Sequence, residues 1–174
     1  MAALATIVAV VPSVTAACNA LGRIGYSTIS DKMKDRALVY KIIFASCVLA
    51  TGFTLLLSFT GNGGGLYRIS IIALLMIVNL GYGGGFSTLP ALLSSRFGMN
   101  NISKIHGIAL SAWAVAGITG NNMSEIILKN TSGGGDRTSK HYAYIMIATV
   151  ILYAVAFICS FFTKNQEEQN GKAI

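Results

Sequence analysis

The chain has 174 residues, of which 53% are hydrophobic and only 11% charged, and it carries a net charge of +7. A soluble domain needs about 25% charged residues to wet its surface, so most of this surface faces lipid, and the positive charge is not that of a nucleic-acid binder. The 19 glycines far outnumber the 2 prolines and fall within or between apolar runs, the pattern of helices that pack closely through small residues.

Crossing a hydrocarbon core of about 30 Å takes about 20 helical residues. Five apolar segments meet that length, roughly 2–29, 38–60, 69–93, 104–128 and 142–163. The first continues straight into the segment around Arg23, with no separate secretory leader expected. The breaks between segments, 31–36, 61–65, 94–103 and 129–141, are polar or glycine-rich, and the glycine tracts at 63–65 and 133–135 read as flexible links. Residues 1–163 are thus expected to form one all-α integral membrane domain, followed by a polar tail at 164–174. Cys18, Cys47 and Cys159 lie inside apolar runs without the C-x-x-C spacing of a metal or redox site, and read as small buried helix residues.

The basic residues orient the chain. Lys32, Lys34, Arg36, Lys41, Arg96, Lys104, Lys164 and Lys172 fall at one side of the alternating breaks, eight in all, against four (Arg68, Lys129, Arg137 and Lys140) at the other. The positive-inside rule then places the 31–36 and 94–103 loops and the C-terminus in the cytoplasm. At 1.5 Å per residue, Arg23 lies about 12 Å inside that boundary, Thr88 about 12 Å and Trp113 about 13 Å. Three different segments thus bring these residues to one depth, although any three mid-helix residues would share it. A charge at that depth is costly and persists mainly where it faces a cavity or a partner.

The segment Asn19-Ala20-Leu21-Gly22-Arg23, with Asp31, Lys32 and Arg36 in the loop that follows, resembles the loop motif of the major facilitator superfamily and the helix before it. Ser27 and Lys34 stand where that motif has glycines, and Asp35 where it has a base. Two further stretches are similar to the tenth and eleventh helices of the oxalate/formate antiporter family, especially its monocarboxylate-type members. They are 81–92 with Arg96-Phe97-Gly98, and Lys104-Ile105-His106-Gly107 leading to 111–117. The resemblance implies a secondary transporter of twelve helices in two halves, with substrate held at the midplane between them. This chain would supply helices eight through twelve, and a partner half, helices one through seven, would complete the cavity. Asp31, Lys32 and Arg36 would form a gating loop that latches the cytoplasmic side.

The candidate substrate-binding residues are Arg23, Trp113, Thr88 and Tyr82. Arg23 falls where the resemblance implies a substrate-pairing arginine, and its planar fork can grip a carboxylate at two points. A structural arginine paired with another helix is the plainer reading. Trp113 stands where the family's oxalate carrier has a lysine; one cation beside an indole suits a monoanion with a small apolar part, and simple packing is the alternative. His106, near the expected cytoplasmic face, reads as an interfacial polar residue, although an imidazole titrates near neutrality and invites proton coupling. Glu125 reads as an interfacial carboxylate, and Asn19, Asn79 and Ser87 as further candidates to line a pathway. No nucleophile–base pair, phosphate loop or carboxylate dyad stands out, so a carrier is expected rather than an enzyme, with no cofactor or metal. The expected function is alternating-access transport of small monocarboxylates such as formate, lactate or pyruvate, in a plasma or inner membrane. The rival from another class is a non-transporting remnant or membrane interaction protein without a complete cavity.

Overall fold

A computed structural model describes residues 2–60, 64–133, 135 and 139–163, with side chains from Val10 onward except Ser139. It is built from α1 (Ala2–Lys32), α2 (Ala37–Phe59), α3 (Gly65–Phe97), α4 (Ile102–Ser132) and α5 (Ser139–Phe161), with no strand among the described residues. Helices α2 to α5 are long and apolar enough to cross a membrane, and the chain is a multi-pass helical membrane protein. Five crossings were expected; among the described residues four helices qualify. Helix α1 has the length, at 31 residues, but from Val10 onward its apolar run is interrupted by Pro12, Ser13, Asn19 and Arg23. Its first eight positions have side chains outside the described residues. The expected tail at 164–174 also lies outside them, as do Gly63, Gly134 and Arg137.

Helices α1, α3 and α4 run further than their apolar runs, and the ends of α3 and α4 show how they stop. Helix α3 extends to Phe97 because Ser94 and Ser95 donate to the carbonyls of Ala91 and Leu92 in their own helix, at 3.0 and 2.8 Å, which masks their polarity. It stops at Gly98, whose φ of 72° a side chain would resist. Helix α4 ends on Gly133, left-handed at φ 58°, with its N–H on the Lys129 carbonyl.

Helix α3 is the hub: α1 packs along its length, α2 lies against its other flank, and α5 fills the far side of α2. The pairing of Asn19 with Gly83 and of Arg23 with Ser87 shows that α1 and α3 run parallel. In a bilayer lipid tails are as apolar as leucine, so helices associate through close contact rather than by escaping solvent. Glycine supplies that contact here. A methyl group at Gly22 would run into the Leu80 carbonyl, one at Gly83 into the Asn19 carbonyl, and one at Gly84 into the Tyr26 ring. Where α2 meets α3, a methyl group at Gly81 would come within 2.9 Å of Ile43. Ile43 belongs to the buried cluster of Val39, Ile43 and Cys47, against which Tyr26, Met33, Val78 and Tyr153 pack. Cys47 is buried as expected, whereas Cys18 is half-buried and Cys159 exposed. The expectation of three buried cysteines fails because an apolar run does not reveal which flank of a membrane helix meets protein and which meets lipid.

Candidate functional site

The parallel α1–α3 seam carries polar and aromatic side chains to its open edge. Arg23 is exposed in the middle of α1. Its Nε donates to Asn19 Oδ1 at 3.1 Å, one turn earlier, which fixes the base of the guanidinium. Its backbone carbonyl accepts from Ser87 Oγ at 3.1 Å, so this residue is tied to α3 through the main chain while its side chain stays outside the seam. Among the described residues its two terminal nitrogens have no hydrogen-bond or ion-pair partner. They form the planar two-point donor that suits a carboxylate.

On the neighbouring edge of α3, Tyr82 and Phe86 are one turn apart with ring centroids at 4.9 Å. Trp113 of α4 reaches them both. Its Nε1 donates to the Tyr82 hydroxyl at 3.0 Å, and its ring meets Phe86 edge-on at 5.4 Å. The edge-to-face pairing and the satisfied indole N–H hold α4 to α3 at this level. Tyr82 and Trp113 nonetheless stay open, at 45% and 52% exposure. Arg23 touches α3 at Ser87 and Trp113 touches it from Tyr82 to Phe86, so the two lie within about 8 Å along the helix axis. Thr88 shares the level but not the face. It is 1% exposed, and its hydroxyl donates to Gly84 O at 2.8 Å inside its own helix. On that side of α3, Tyr40 of α2 donates to Gly85 O at 2.7 Å.

At the end of the molecule where α1, α3 and α5 finish and α2 begins, charges knit the helices together. Asp31 in the last turn of α1 pairs with Arg36 at 3.8 Å, and Arg36 also donates to Ala91 O of α3 at 3.1 Å. Asp35 accepts from the Ala37 N–H at 3.0 Å, which starts α2, and pairs with Arg96 of α3 at 3.5 Å. Arg96 then donates to Thr163 O just past α5, at 3.1 Å. Three helices and a loop thus meet around two ion pairs. Of the expected gating residues, Asp31 and Arg36 are in this network, while Lys32 is exposed and outside both pairs.

Asp35 and Arg96 were not singled out from the sequence as a pair. The available signal was scarcity: the chain has only 6 acidic residues, and two of them stand at 31 and 35 beside a run of bases. His106 lies in the second turn of α4, with its Nδ1 buried and without a partner among the described residues. Set against protein-family models, curated proteins and solved structures, the chain matches none.

Proposed function

We propose that this chain is the C-terminal part of a secondary transporter of small organic anions, a carrier rather than an enzyme, built on the plan of the major facilitator superfamily. Its α1 to α5 would then correspond to helices eight through twelve, with α1 as the fifth crossing. The observation that carries this reading is Arg23. Its Nε is held by Asn19 while the rest of the guanidinium stays uncommitted and exposed, at about the level along α3 at which Trp113 meets Tyr82. An arginine at bilayer depth costs about 2.5–3.5 kcal/mol on insertion scales and marks a functional site by default. A monocarboxylate seated between Arg23 and the Tyr82–Trp113 pair would neutralise that charge and place its small apolar part on the indole. The two ion pairs at the basic end support a latch there, made by Asp31 and Arg36 with Asp35 and Arg96. The cavity would be closed by a second half, and the basic end and C-terminus would be cytoplasmic.

Vesicles containing the chain, with and without a complementary half, test the reading by uptake of labelled formate, lactate, pyruvate and oxalate. Bidentate charged hydrogen bonds are worth about 1.5–3 kcal/mol, so Arg23→Ala is expected to weaken monocarboxylate uptake by at least about tenfold. Undiminished uptake in that variant would remove the basis for the proposal. The orientation is checked with a reporter fused after Ile174, which should score as cytoplasmic. The nearly bare α4, with no part of its apolar stretch buried, also suits a membrane interaction protein. Absence of uptake of any anion with the complementary half present would favour that second reading.

A further inference from the structure

On α1 before Asp31, Arg23 is the one charged side chain, and α3 carries none between Arg68 and Arg96. No carboxylate therefore stands on either helix at its level. The group that holds its Nε is the side-chain oxygen of Asn19, at 3.1 Å. A guanidinium only donates, so the amide must present its oxygen here and not its nitrogen. A carboxylate in that place would make the same bond but would cancel much of the positive charge from a few ångströms away. The amide makes the bond and leaves the charge whole.

This tether stands on a firm base. The Asn19 carbonyl lies so close to Gly83 that a methyl group there would collide with it. One turn further along both helices, the Arg23 carbonyl accepts from Ser87 at 3.1 Å. Both partners of the Nε bond thus have their main chain fixed against α3, and the freedom left is that of the Arg23 side chain. A guanidinium can grip a carboxylate side-on, through Nε and one terminal nitrogen, or end-on, through the two terminal nitrogens. With Nε given to Asn19, only the end-on pair is left.

We infer that Asn19 is the positioning residue of the proposed anion site, presenting the end-on fork of Arg23 with its charge undiminished. The inference rests on the transport reading above and adds the binding mode to it. The test combines uptake of labelled lactate by vesicles holding the full chain and a complementary half with exchange of the Arg23 Nε proton, followed by NMR in detergent. Asn19→Ala should raise the KM for lactate several-fold and leave the maximal rate nearly unchanged, because the anion must then order the fork itself. Asn19→Asp should raise KM further than Asn19→Ala does, although its carboxylate can still hold Nε; a role in packing alone predicts the opposite order. The Nε proton should exchange slowly in the unaltered chain and fast in Asn19→Ala, with equal helix content by circular dichroism. A KM unchanged in Asn19→Ala, an Asn19→Asp variant at least as good as Asn19→Ala, or equal exchange in the two chains would each overturn the positioning role and leave Arg23 as the anion site. Uptake undiminished in Arg23→Ala, or no uptake by the unaltered protein, would instead remove the transport reading and this inference with it.

Discussion

At the scale of single residues, the proposed anion site rests on Arg23 and Trp113. The guanidinium supplies one positive charge in a fixed fork, and the indole supplies a flat apolar wall whose N–H is already given to Tyr82. If the site takes anions as proposed, one cation balances one carboxylate. A dianion would leave a charge uncompensated in a low-dielectric site, at a cost of several kcal/mol. Monocarboxylates are therefore expected to outcompete oxalate in any complete carrier containing this chain. Trp113→Lys should reverse that order by adding a second cation at the same level while removing the apolar wall. Competition of unlabelled lactate and oxalate for labelled formate uptake measures both. Oxalate competing as well as lactate against the unaltered chain would mean that a second cation is present elsewhere, and the charge-matching argument would fail. Thr88, at the same depth, is expected to be silent: it is buried, and its hydroxyl is spent within α3.

Among the elements, the decisive contact is the seam between α1 and α3. Interhelical hydrogen bonds in membranes average only about 0.6 kcal/mol, so Ser87 to Arg23 O cannot hold these helices by itself; backbone-to-backbone approach at Gly22 and Gly83 does. Adding a methyl group at Gly83 drives it into the Asn19 carbonyl, and overpacking of this kind costs about 1–3 kcal/mol. Gly25, on the same helix as Gly22, has nothing within 4 Å of where its methyl group would stand. Replacing it with alanine removes a flexible residue from a helix interior, worth about 0.5–1 kcal/mol. Gly83→Ala should thus lower the thermal midpoint in detergent and Gly25→Ala should leave it unchanged or raise it; equal losses would show that the seam is not glycine-limited. The sequence made the helices legible, because their apolar runs and polar breaks follow from the thickness of a bilayer. It did not make the faces legible. Helix α3 is apolar on all sides, so periodicity could not tell that Thr88 turns toward α2 while Tyr82 and Ser87 turn toward α4 and α1. The same blindness hid Asp35 and Arg96, which lie 61 positions apart in the chain and meet only because α3 ends beside the start of α2.

Taken whole, the molecule is lopsided. Helix α2 is well covered by α3 and α5, with Val39, Thr51 and Thr54 almost fully enclosed. Helix α4 has Leu128 as its one buried residue among those described, and positions 111–119 are all exposed. On a helix facing lipid alone, an exposed face should be uniformly apolar. The exposed surfaces of α1, α3 and α4 instead include Arg23, Asn121 and Asn122 as well as Trp113 and Tyr82, and intramembrane groups of this kind face a partner or water. A second polypeptide surface over this side would enclose Arg23 and give α4 the contacts that it lacks. In its absence the same face is left to pair with a second copy or to destabilise the chain. The expected outcome for the purified chain alone in mild detergent is therefore an oligomer by light scattering, or a broad, non-cooperative thermal transition. Addition of a complementary half should restore a sharp transition at one-to-one stoichiometry. A monodisperse monomer with cooperative unfolding would show that the polar face is tolerated by detergent or lipid without a protein partner, and the half-carrier proposal would then have to be abandoned.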